Sequence, residues 1–352
     1  MDIKNTLKIF NPAIAFTAIL SGGGYITGRE ITEYFYKFGN QGYYAIFVVA
    51  ILFGFISYFS IEVSRKNRVF TYDKWSYIFL GKYFFLLDII FSVLAVIAIA
   101  VVISGSIVSL KNSFEINEFF SLLILLLIFS ILVLYGEKVI FKYKLFGTIS
   151  LILFFIVTFI FVYKKVSYNP FEYANENIYL SFFSGIKYAA YNSIVFPAIL
   201  YTFKEIETKR QSVLSSILLA LVGIFPILFS FWILSSGGSE TLKQDLPILY
   251  IILNFCPNWL KFFFNAIILY TLIDTAIGLI QSIMQRIDSS YSLKSKFIKI
   301  ILTIAIILVS YFLSIFGIIN LVAKGYGTMS YLFILILIIP LLIYNVKKNK
   351  AT

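Results

Sequence analysis

The stretch Ser21-Gly22-Gly23-Gly24-Tyr25 interrupts an apolar segment, residues 10–35, that is otherwise long enough to cross a bilayer as a helix. Each glycine costs about 1 kcal/mol relative to alanine in a helix interior. Unwound backbone at membrane depth is tolerated only where protein buries it or where it lines a cavity. The three glycines therefore predict a helix that is broken in mid-membrane, and they make the break a candidate ligand site.

The composition of the whole chain is that of a polytopic membrane protein. Of its 352 residues, 60% are hydrophobic and only 13% are charged, whereas roughly 25% are charged in a soluble domain. The apolar runs predict an all-α fold with ten transmembrane helices in one domain, residues 1–352, and a lipid bilayer as its surroundings. The predicted spans are approximately 10–36, 42–64, 83–110, 117–136, 139–163, 181–203, 211–236, 257–286, 296–316 and 318–346. A shorter apolar piece at 246–255 is expected to form a helix in an outer loop.

The distribution of basic residues gives an expected orientation. With the N-terminus inside, 20 of the 29 lysines and arginines fall in inner segments and nine in outer segments. Cytoplasmic loops carry an excess of Lys and Arg, so we expect both termini in the cytoplasm and the protein in the plasma membrane. The same placement accounts for the net charge of +12 without a nucleic-acid partner, because the basic residues lie in short loops between spans.

The residue types that the chain lacks exclude several chemistries. The sequence contains no histidine, and Cys256 is its single cysteine. Imidazole metal ligands, Ser-His catalysis and histidine proton relays are therefore ruled out. No G-x-x-x-x-G-K-[S/T] loop for ATP-driven pumping occurs either. We expect a protein that is not an enzyme and that holds no cofactor or structural metal.

An internal repeat indicates a second break. The segment Ser184-Gly185-Ile186-Lys187-Tyr188 shares the pattern S-G-x-x-Y with the first stretch, 163 residues earlier, and Pro197 follows it. Five spans separate the two starts, so the two helices cross the membrane in opposite directions. Interrupted helices at corresponding places in two opposed halves are typical of inverted-repeat transporters. The two halves are expected at about residues 8–163 and 178–346.

Two motifs carry a resemblance to known families. The segment from Gly23 to Ile31, GGYITGREI, resembles the glycine-rich G-x-E-I start of the YkvI-like membrane proteins, and Tyr188-Ala189-Ala190-Tyr191-Asn192 resembles that family's span-six motif. The layout resembles the LeuT fold of the amino acid–polyamine–organocation superfamily, a 5+5 inverted repeat with broken helices 1 and 6. This resemblance implies a substrate enclosed by spans one, three, six and eight. It also implies that sodium, where it is used, lies between spans one and eight.

The two predicted breaks supply most candidate substrate-binding residues. Unwound carbonyls would face a cation, and the N–H groups that open the second half-helix would face a carboxylate. The alternatives are close helix packing through glycine and interfacial anchoring through tyrosine. The candidate set is Ser21, Gly22, Gly23, Gly24, Tyr25, Ser104, Tyr188, Tyr191 and Asn192. The second break is expected to be formed by Ser184, Gly185, Tyr188, Tyr191 and Asn192.

A carboxylate near the middle of span eight indicates an ion site. Asp274 costs at least ~2.5–3.5 kcal/mol at mid-bilayer on insertion scales. Thr271 and Thr275 share its helical face. We predict that these three residues and Gly22 bind a coupling ion, Na+ or H+. The alternative is a structural ion pair between Asp274 and a neighbouring span.

Two charged residues about one turn past the first break form a predicted outer gate. Arg29 and Glu30 are followed by Glu33, which Arg29 can reach at i, i+4 spacing. The alternatives are recognition of a charged substrate and a set of helix-end charges that meet water.

These predictions combine in one function. We expect an ion-coupled secondary active transporter that moves an amino acid or a similar small organic solute by alternating access. A channel and a non-transporting membrane sensor remain alternatives, and a membrane-embedded enzyme is less favoured because histidine is absent. The sequence leaves open the choice between symport and antiport, the conformational state and the oligomeric state.

Overall fold

The computed structural model describes residues 3–135, 137–163, 177–291 and 296–350. It describes the side chains of residues 7–132, 150–163, 177–287 and 297–348. Within these ranges the regular structure is helical throughout, which confirms the predicted all-α class.

Six helices in the described part of the chain are long and apolar enough to cross a membrane. They are Tyr36–Asn67, Tyr72–Phe114, Lys209–Ser235, Asn258–Ile287, Phe297–Ser314 and Ile318–Lys348. Three shorter apolar helices are Leu7–Leu20, Glu118–Leu132 and Ser150–Tyr163. Each of these helices overlaps a predicted span, and their length and composition are those of a membrane protein.

The α-helices are numbered in chain order. They are α1 Ile3–Leu20, α2 Gly23–Thr27, α3 Arg29–Tyr34, α4 Gly42–Asn67, α5 Tyr72–Leu80, α6 Phe84–Phe114, α7 Glu118–Tyr135, α8 Glu137–Tyr163, α9 Ile178–Asn192, α10 Val195–Ala198, α11 Lys209–Ser235, α12 Pro247–Phe255, α13 Asn258–Tyr291, α14 Lys296–Ser314, α15 Ile318–Asn320, α16 Gly327–Phe333 and α17 Ile339–Lys350. Two π-helical segments, Leu321–Tyr326 and Ile334–Ile338, join the last three. Helix α12 occupies the segment that was predicted as a loop helix.

The first predicted span is broken twice. Helix α1 ends at Leu20, α2 begins at Gly23, and the chain breaks again at Gly28. Gly28 has φ +77°, a left-handed conformation that glycine adopts without steric cost. The triglycine therefore marks the first interruption as predicted, and Gly28 adds a second one that turns α3 away from α2.

The break in the sixth predicted span lies later than its sequence indicated. Ser184 and Gly185, with Tyr188, Tyr191 and Asn192, lie inside the continuous helix α9, so the prediction that they form the break is wrong. The α-helix ends after Asn192, and α10 and a 3-10 segment at Leu200–Glu205 follow. Gly185 has a packing role instead, because a Cβ atom there would lie 2.5 Å from the carbonyl oxygen of Ala45 in α4.

Packing brings the two broken spans together. Helix α4 packs against α9 and α11, α1 against α11, and α6 against α13 and α14. The buried ring of Phe16 in α1 contacts Phe53 at 4.9 Å and Phe196 at 5.0 Å between centroids, so it joins α4 to α10. These contacts hold α1 and α10, which flank the two breaks, side by side.

One end of the molecule is rich in basic residues and is called the basic end below. Here α4 ends with Arg65 and Lys66, and α11 begins with Lys209. Glu62 is buried, lies 2.7 Å from Arg65 Nε and accepts a hydrogen bond from Ser212 Oγ at 2.7 Å. This network ties α4 to α11 at the basic end.

Candidate functional site

A cavity of about 310 Å³ lies between the two helix breaks. Its lining comes from α1 to α3, α6, α9, α10, α13 and the π-helical segment before α16. The lining residues that carry polar groups, aromatic rings or the glycine backbone are Gly22, Gly23, Gly24, Glu30, Phe91, Tyr191, Asn192, Asp274, Thr275, Gly278, Ser282 and Tyr326. The cavity thus collects predicted spans one, three, six and eight, together with span ten, which was not expected.

The triglycine allows α13 to approach the first break closely. The N–H of Gly23 donates a hydrogen bond to Thr275 Oγ1 at 2.9 Å. A Cβ atom would lie 3.0 Å from that oxygen at Gly22, and 3.0 Å from a methyl group of Leu272 at Gly23. These glycines therefore fit both interpretations of the sequence, a ligand site and close helix packing. Their backbone lines a cavity, and they also permit tight packing.

Glu30 points into the cavity. A Cβ atom at Gly24 would collide with its carboxylate, so the carboxylate lies directly against the α2 backbone. The Tyr191 hydroxyl donates a hydrogen bond to Glu30 Oε2 at 2.6 Å. The side chain is 7% exposed. Glu30 therefore joins the first broken span to the sixth one.

Arg29 points away from Glu30, toward the segment before α12. Its Nη1 donates to the carbonyl oxygens of Leu242 at 2.9 Å and Gln244 at 3.1 Å, and its Nη2 lies 3.4 Å from Glu33 Oε2. The expected Arg29–Glu33 pair is present. Arg29 and Glu30 have different contacts, because consecutive residues of α3 point about 100° apart around the helix. Their role as a gate stays a prediction.

Five tyrosines, Tyr25, Tyr34, Tyr188, Tyr191 and Tyr326, form a tyrosine cluster around Glu30. Four of the rings, all but that of Tyr25, pack at centroid distances of 4.9–5.6 Å. The Tyr188 hydroxyl donates to Tyr25 Oη at 2.7 Å. Tyr191 and Tyr326 line the cavity, whereas Tyr25 and Tyr188 are not among its lining residues. Two of the predicted substrate-binding tyrosines therefore support the site from behind.

The candidate ion residues of α13 divide into lining and supporting positions. Asp274 and Thr275 are partly buried and line the cavity, but Thr271 does not. The hydroxyl of Thr271 donates to Ile267 O at 2.8 Å, and that of Thr275 donates to Thr271 O at 2.8 Å. The face that begins here continues through Ser282 toward the basic end.

Two further predicted site residues, Ser21 and Ser104, are not among the residues that line the cavity. Ser21 is buried at the end of α1, next to the lining residues Leu20 and Gly22. Ser104 lies in α6, whose lining residues are Phe91, Leu94, Ala95, Ala98, Val101 and Val102. At 3.6 residues per turn, these six share one face, and Ser104 belongs to another.

A second cavity of about 440 Å³ adjoins the first at the basic end. The two share the lining residues Phe91, Ile194, Ala198 and Ser282. Arg286 lines only the second cavity, where its Nε lies 3.3 Å from Asp88 Oδ1 and its guanidinium packs on the Phe91 ring at 3.5 Å. Asp88 thus forms an ion pair with Arg286.

The opposite side of the central cavity is covered by contacts between the broken spans and their neighbours. Besides the Arg29 and Glu30 bonds, the Tyr34 hydroxyl donates to Val322 O at 3.2 Å, and Ser184 Oγ donates to Tyr34 O at 2.8 Å. All of these contacts lie beyond the glycine break, on the α3 side. The central cavity is therefore covered on the α3 side and adjoins the second cavity on the opposite side.

Sequence reasoning missed two aromatic residues of the site. Phe91 gave no signal, because it is one of 39 phenylalanines. Tyr326 stands between Gly325 and Gly327, and these small neighbours were a usable signal. Glu30 was predicted as a gate residue, but its hydrogen bond with the distant Tyr191 could not be derived from helical spacing.

The helices and the cavity define a membrane protein that is built like a transporter. A solved manganese transporter of Eremococcus coleocola has a TM-score of 0.61 at 15% identity, covering 97% of this chain and 80% of that one. A Na+-coupled sialic acid symporter, solved in a substrate-bound outward-open state, has a TM-score of 0.56 at 14% identity, covering 92% and 75%. At these identities the likeness shows the fold alone, and both of these proteins are transporters.

The chain also has a relative by sequence. The uncharacterized membrane protein YkvI of Bacillus subtilis (strain 168) is 21% identical over 322 residues, 91% of each chain. This similarity agrees with the resemblance to YkvI-like proteins, whereas the amino acid–polyamine–organocation superfamily remains a prediction. No protein-family model matches the chain.

Proposed function

We propose that this protein is an ion-coupled secondary active transporter that moves a small organic solute by alternating access. The observation that carries the proposal is the central cavity between two helix breaks, which is covered at the α3 side and adjoins a second cavity at the basic end. Substrate sites between discontinuous helices are the common plan of transporters built from inverted repeats. The two solved transporters with the same fold support the proposal.

The 5+5 inverted repeat with ten spans is part of the proposal. The halves at about 8–163 and 178–346 each begin with an interrupted helix. Tyr25 and Tyr188 hold the same place in the S-G-x-x-Y repeat, and their hydroxyls are hydrogen-bonded to each other. Equivalent residues meet in this way where they lie near a two-fold axis. The contact therefore supports a pseudo-two-fold relation between the halves.

The proposed coupling ion, Na+ or H+, binds at Gly22, Asp274 and Thr275, with Thr271 as support. These residues bring a carboxylate, a hydroxyl and unwound backbone to one wall of the cavity. Hard cations prefer such oxygen ligands. A tenfold ion gradient is worth about 1.4 kcal/mol, and 100 mV adds about 2.3 kcal/mol per charge. One ion therefore supports roughly 500-fold accumulation of a neutral solute.

The proposed orientation places the basic end in the cytoplasm of the cell, with both termini there, since cytoplasmic loops carry the excess of Lys and Arg. The conformation described here is then inward-facing. Alternating access requires the Arg29 and Glu30 contacts at the α3 side to open while the second cavity closes.

Uptake into proteoliposomes tests the proposal. Radiolabelled amines and amino acids are offered under an imposed Na+ or H+ gradient, with the membrane potential set separately. We expect saturable accumulation that is lost in Asp274→Asn and retained in Glu240→Gln, a control carboxylate in an exposed ion pair with Lys243. Flux that does not saturate and ignores both gradients would indicate a channel. Ligand binding without any flux would indicate a sensor.

A further inference from the structure

The charged residues that line the central cavity are all acidic. Glu30 and Asp274 are its charged lining residues, and the described lining contains no lysine or arginine. This contrasts with the chain as a whole, whose net charge is +12. A cavity with this charge pattern favours cationic contents and repels anions.

Glu30 has no basic partner in the described part of the chain. Its hydrogen bond comes from the Tyr191 hydroxyl, and the ion pairs of the described residues do not include it. The neighbouring Arg29 binds Leu242 O and Gln244 O instead. A buried carboxylate is costly unless a positive charge accompanies it. The cavity space beside Glu30 is where such a charge can enter.

Aromatic rings complete the surroundings of that space. Phe91, Tyr191 and Tyr326 line the cavity together with Glu30, and the Tyr191 and Tyr326 rings lie 4.9 Å apart at an angle of 35°. The face of an aromatic ring attracts an ammonium group, and such cages recognise amines. The Phe91 ring is already covered by the Arg286 guanidinium. The Glu30 carboxylate and the rings of Tyr191 and Tyr326 therefore match an alkylammonium group.

The lining offers much less to a carboxylate. Arg286 lines only the adjoining second cavity and is paired there with Asp88. A solute carboxylate in the central cavity would meet Glu30 and Asp274, and the described lining offers no lysine or arginine to bind it. An amino acid therefore fits the central cavity less well than the corresponding amine, which lacks the carboxylate.

We infer that the solute is an organic amine without a carboxylate, and that Glu30 binds its ammonium group against the rings of Tyr191 and Tyr326. This inference rests on the proposed function, and it leaves Asp274 to the coupling ion. Glu30 is thus the residue that determines which solutes are accepted.

Matched ligand pairs test the inference in detergent-solubilised protein. The pairs are tyramine and tyrosine, histamine and histidine, ethanolamine and serine, and cadaverine and lysine, in which each amine lacks only the carboxylate. A ligand that binds the native state raises its melting temperature by mass action. We expect at least one amine to raise the melting temperature while its parent amino acid does not. An amino acid that binds as tightly as its amine overturns the inference.

Variants then assign the charge to Glu30. Loss of one partner of a buried charge pair costs about 2 kcal/mol or more, so Glu30→Gln should weaken amine binding at least about 30-fold. Glu33→Gln is the matched control, because Glu33 lies one turn away, pairs with Arg29 and does not line the cavity. Glu30→Asp keeps the charge and should retain part of the binding. If Glu30→Gln only removes the charge, Glu30→Asp still binds the amine in part. If substitution at this position misfolds the protein, neither variant binds it.

Two outcomes separate this inference from the proposed function. Amine binding that depends on Glu30, without gradient-driven uptake, supports the inference and contradicts transport. Uptake of a neutral or anionic solute that is unchanged in Glu30→Gln supports transport and overturns the inference. If Glu30→Gln binds amines normally but loses only proton-driven uptake, Glu30 carries the coupling proton, and the inference is also overturned.

Discussion

The two helix breaks at the central cavity are stabilised in different ways. At the first break, the N–H of Gly23 leaves the helix and binds the hydroxyl of Thr275, 252 residues away. At the second break, the N–H groups of Ser193 and Ile194 bind carbonyl oxygens three residues earlier in their own helix. The first break therefore depends on α13, whereas the second one is locally satisfied.

Under the proposed function, this difference indicates which of the two breaks changes when the coupling ion binds. Thr275 belongs to the proposed ion site, and its hydroxyl oxygen also accepts the hydrogen bond from the Gly23 N–H. An ion that binds this oxygen therefore changes the hydrogen bond at the first break. The second break has no such link to α13 among its described hydrogen bonds. Under the proposed function, ion binding is thus transmitted to the solute site through the first break.

The largest expected effect comes from Gly24→Ala. The added Cβ atom would collide with the Glu30 carboxylate, so the carboxylate must leave its place beside Tyr191. We expect at least about tenfold weaker amine binding, equivalent to ~1.4 kcal/mol. Melting-temperature titration with tyramine or another amine that stabilises the wild-type protein measures it.

Gly278→Ala is the matched control for that prediction. Gly278 also lines the cavity, but an added Cβ atom there has no neighbour within 4 Å. Amine binding should be unchanged in this variant. Equal losses in both variants would mean that added bulk, and not the position of Glu30, decides binding.

The next effect is on stability and not on amine binding: Thr275→Val leaves the Gly23 N–H without its acceptor. An unsatisfied buried N–H costs about 1–3 kcal/mol, so the apparent melting temperature of the unliganded protein should fall. Thr271→Val is the control, because the Thr271 hydroxyl binds only within its own helix, to Ile267 O. Equal shifts in the two variants would contradict the special role assigned to the first break.

The comparison of the breaks also explains how far sequence reasoning could go. Triglycine costs enough helix stability to identify the first break, and the apolar runs identified the membrane class. The S-G-x-x-Y repeat selected two spans that are both interrupted and whose tyrosines are hydrogen-bonded to each other. Gly185, however, serves the contact with α4, and the second break begins only at Ser193.

The remaining details of the site depend on tertiary contacts that spacing does not encode. Helical periodicity placed Glu30 beside Arg29 at the outer end of the span. The turn at Gly28 and the hydroxyl of Tyr191, 161 residues away, direct Glu30 into the cavity instead. Ser104 is predicted as a cavity residue because it is small and polar and lies in span three. The rotation of α6 about its own axis, which its packing against other helices sets, decides which face lines the cavity.

The smallest expected effect lies at the second break. The Ser193 hydroxyl donates to Ala190 O in its own helix, so Ser193→Ala should change the free energy of unfolding by less than about 0.5 kcal/mol. Ser184→Ala is its matched partner, because Ser184 Oγ binds Tyr34 O across to α3 and its loss should cost about 1 kcal/mol. Apparent melting temperatures of the two unliganded variants give the comparison. A larger loss at Ser193 than at Ser184 would show that the second break is held by more than its own helix, and the contrast with the glycine break would then fail.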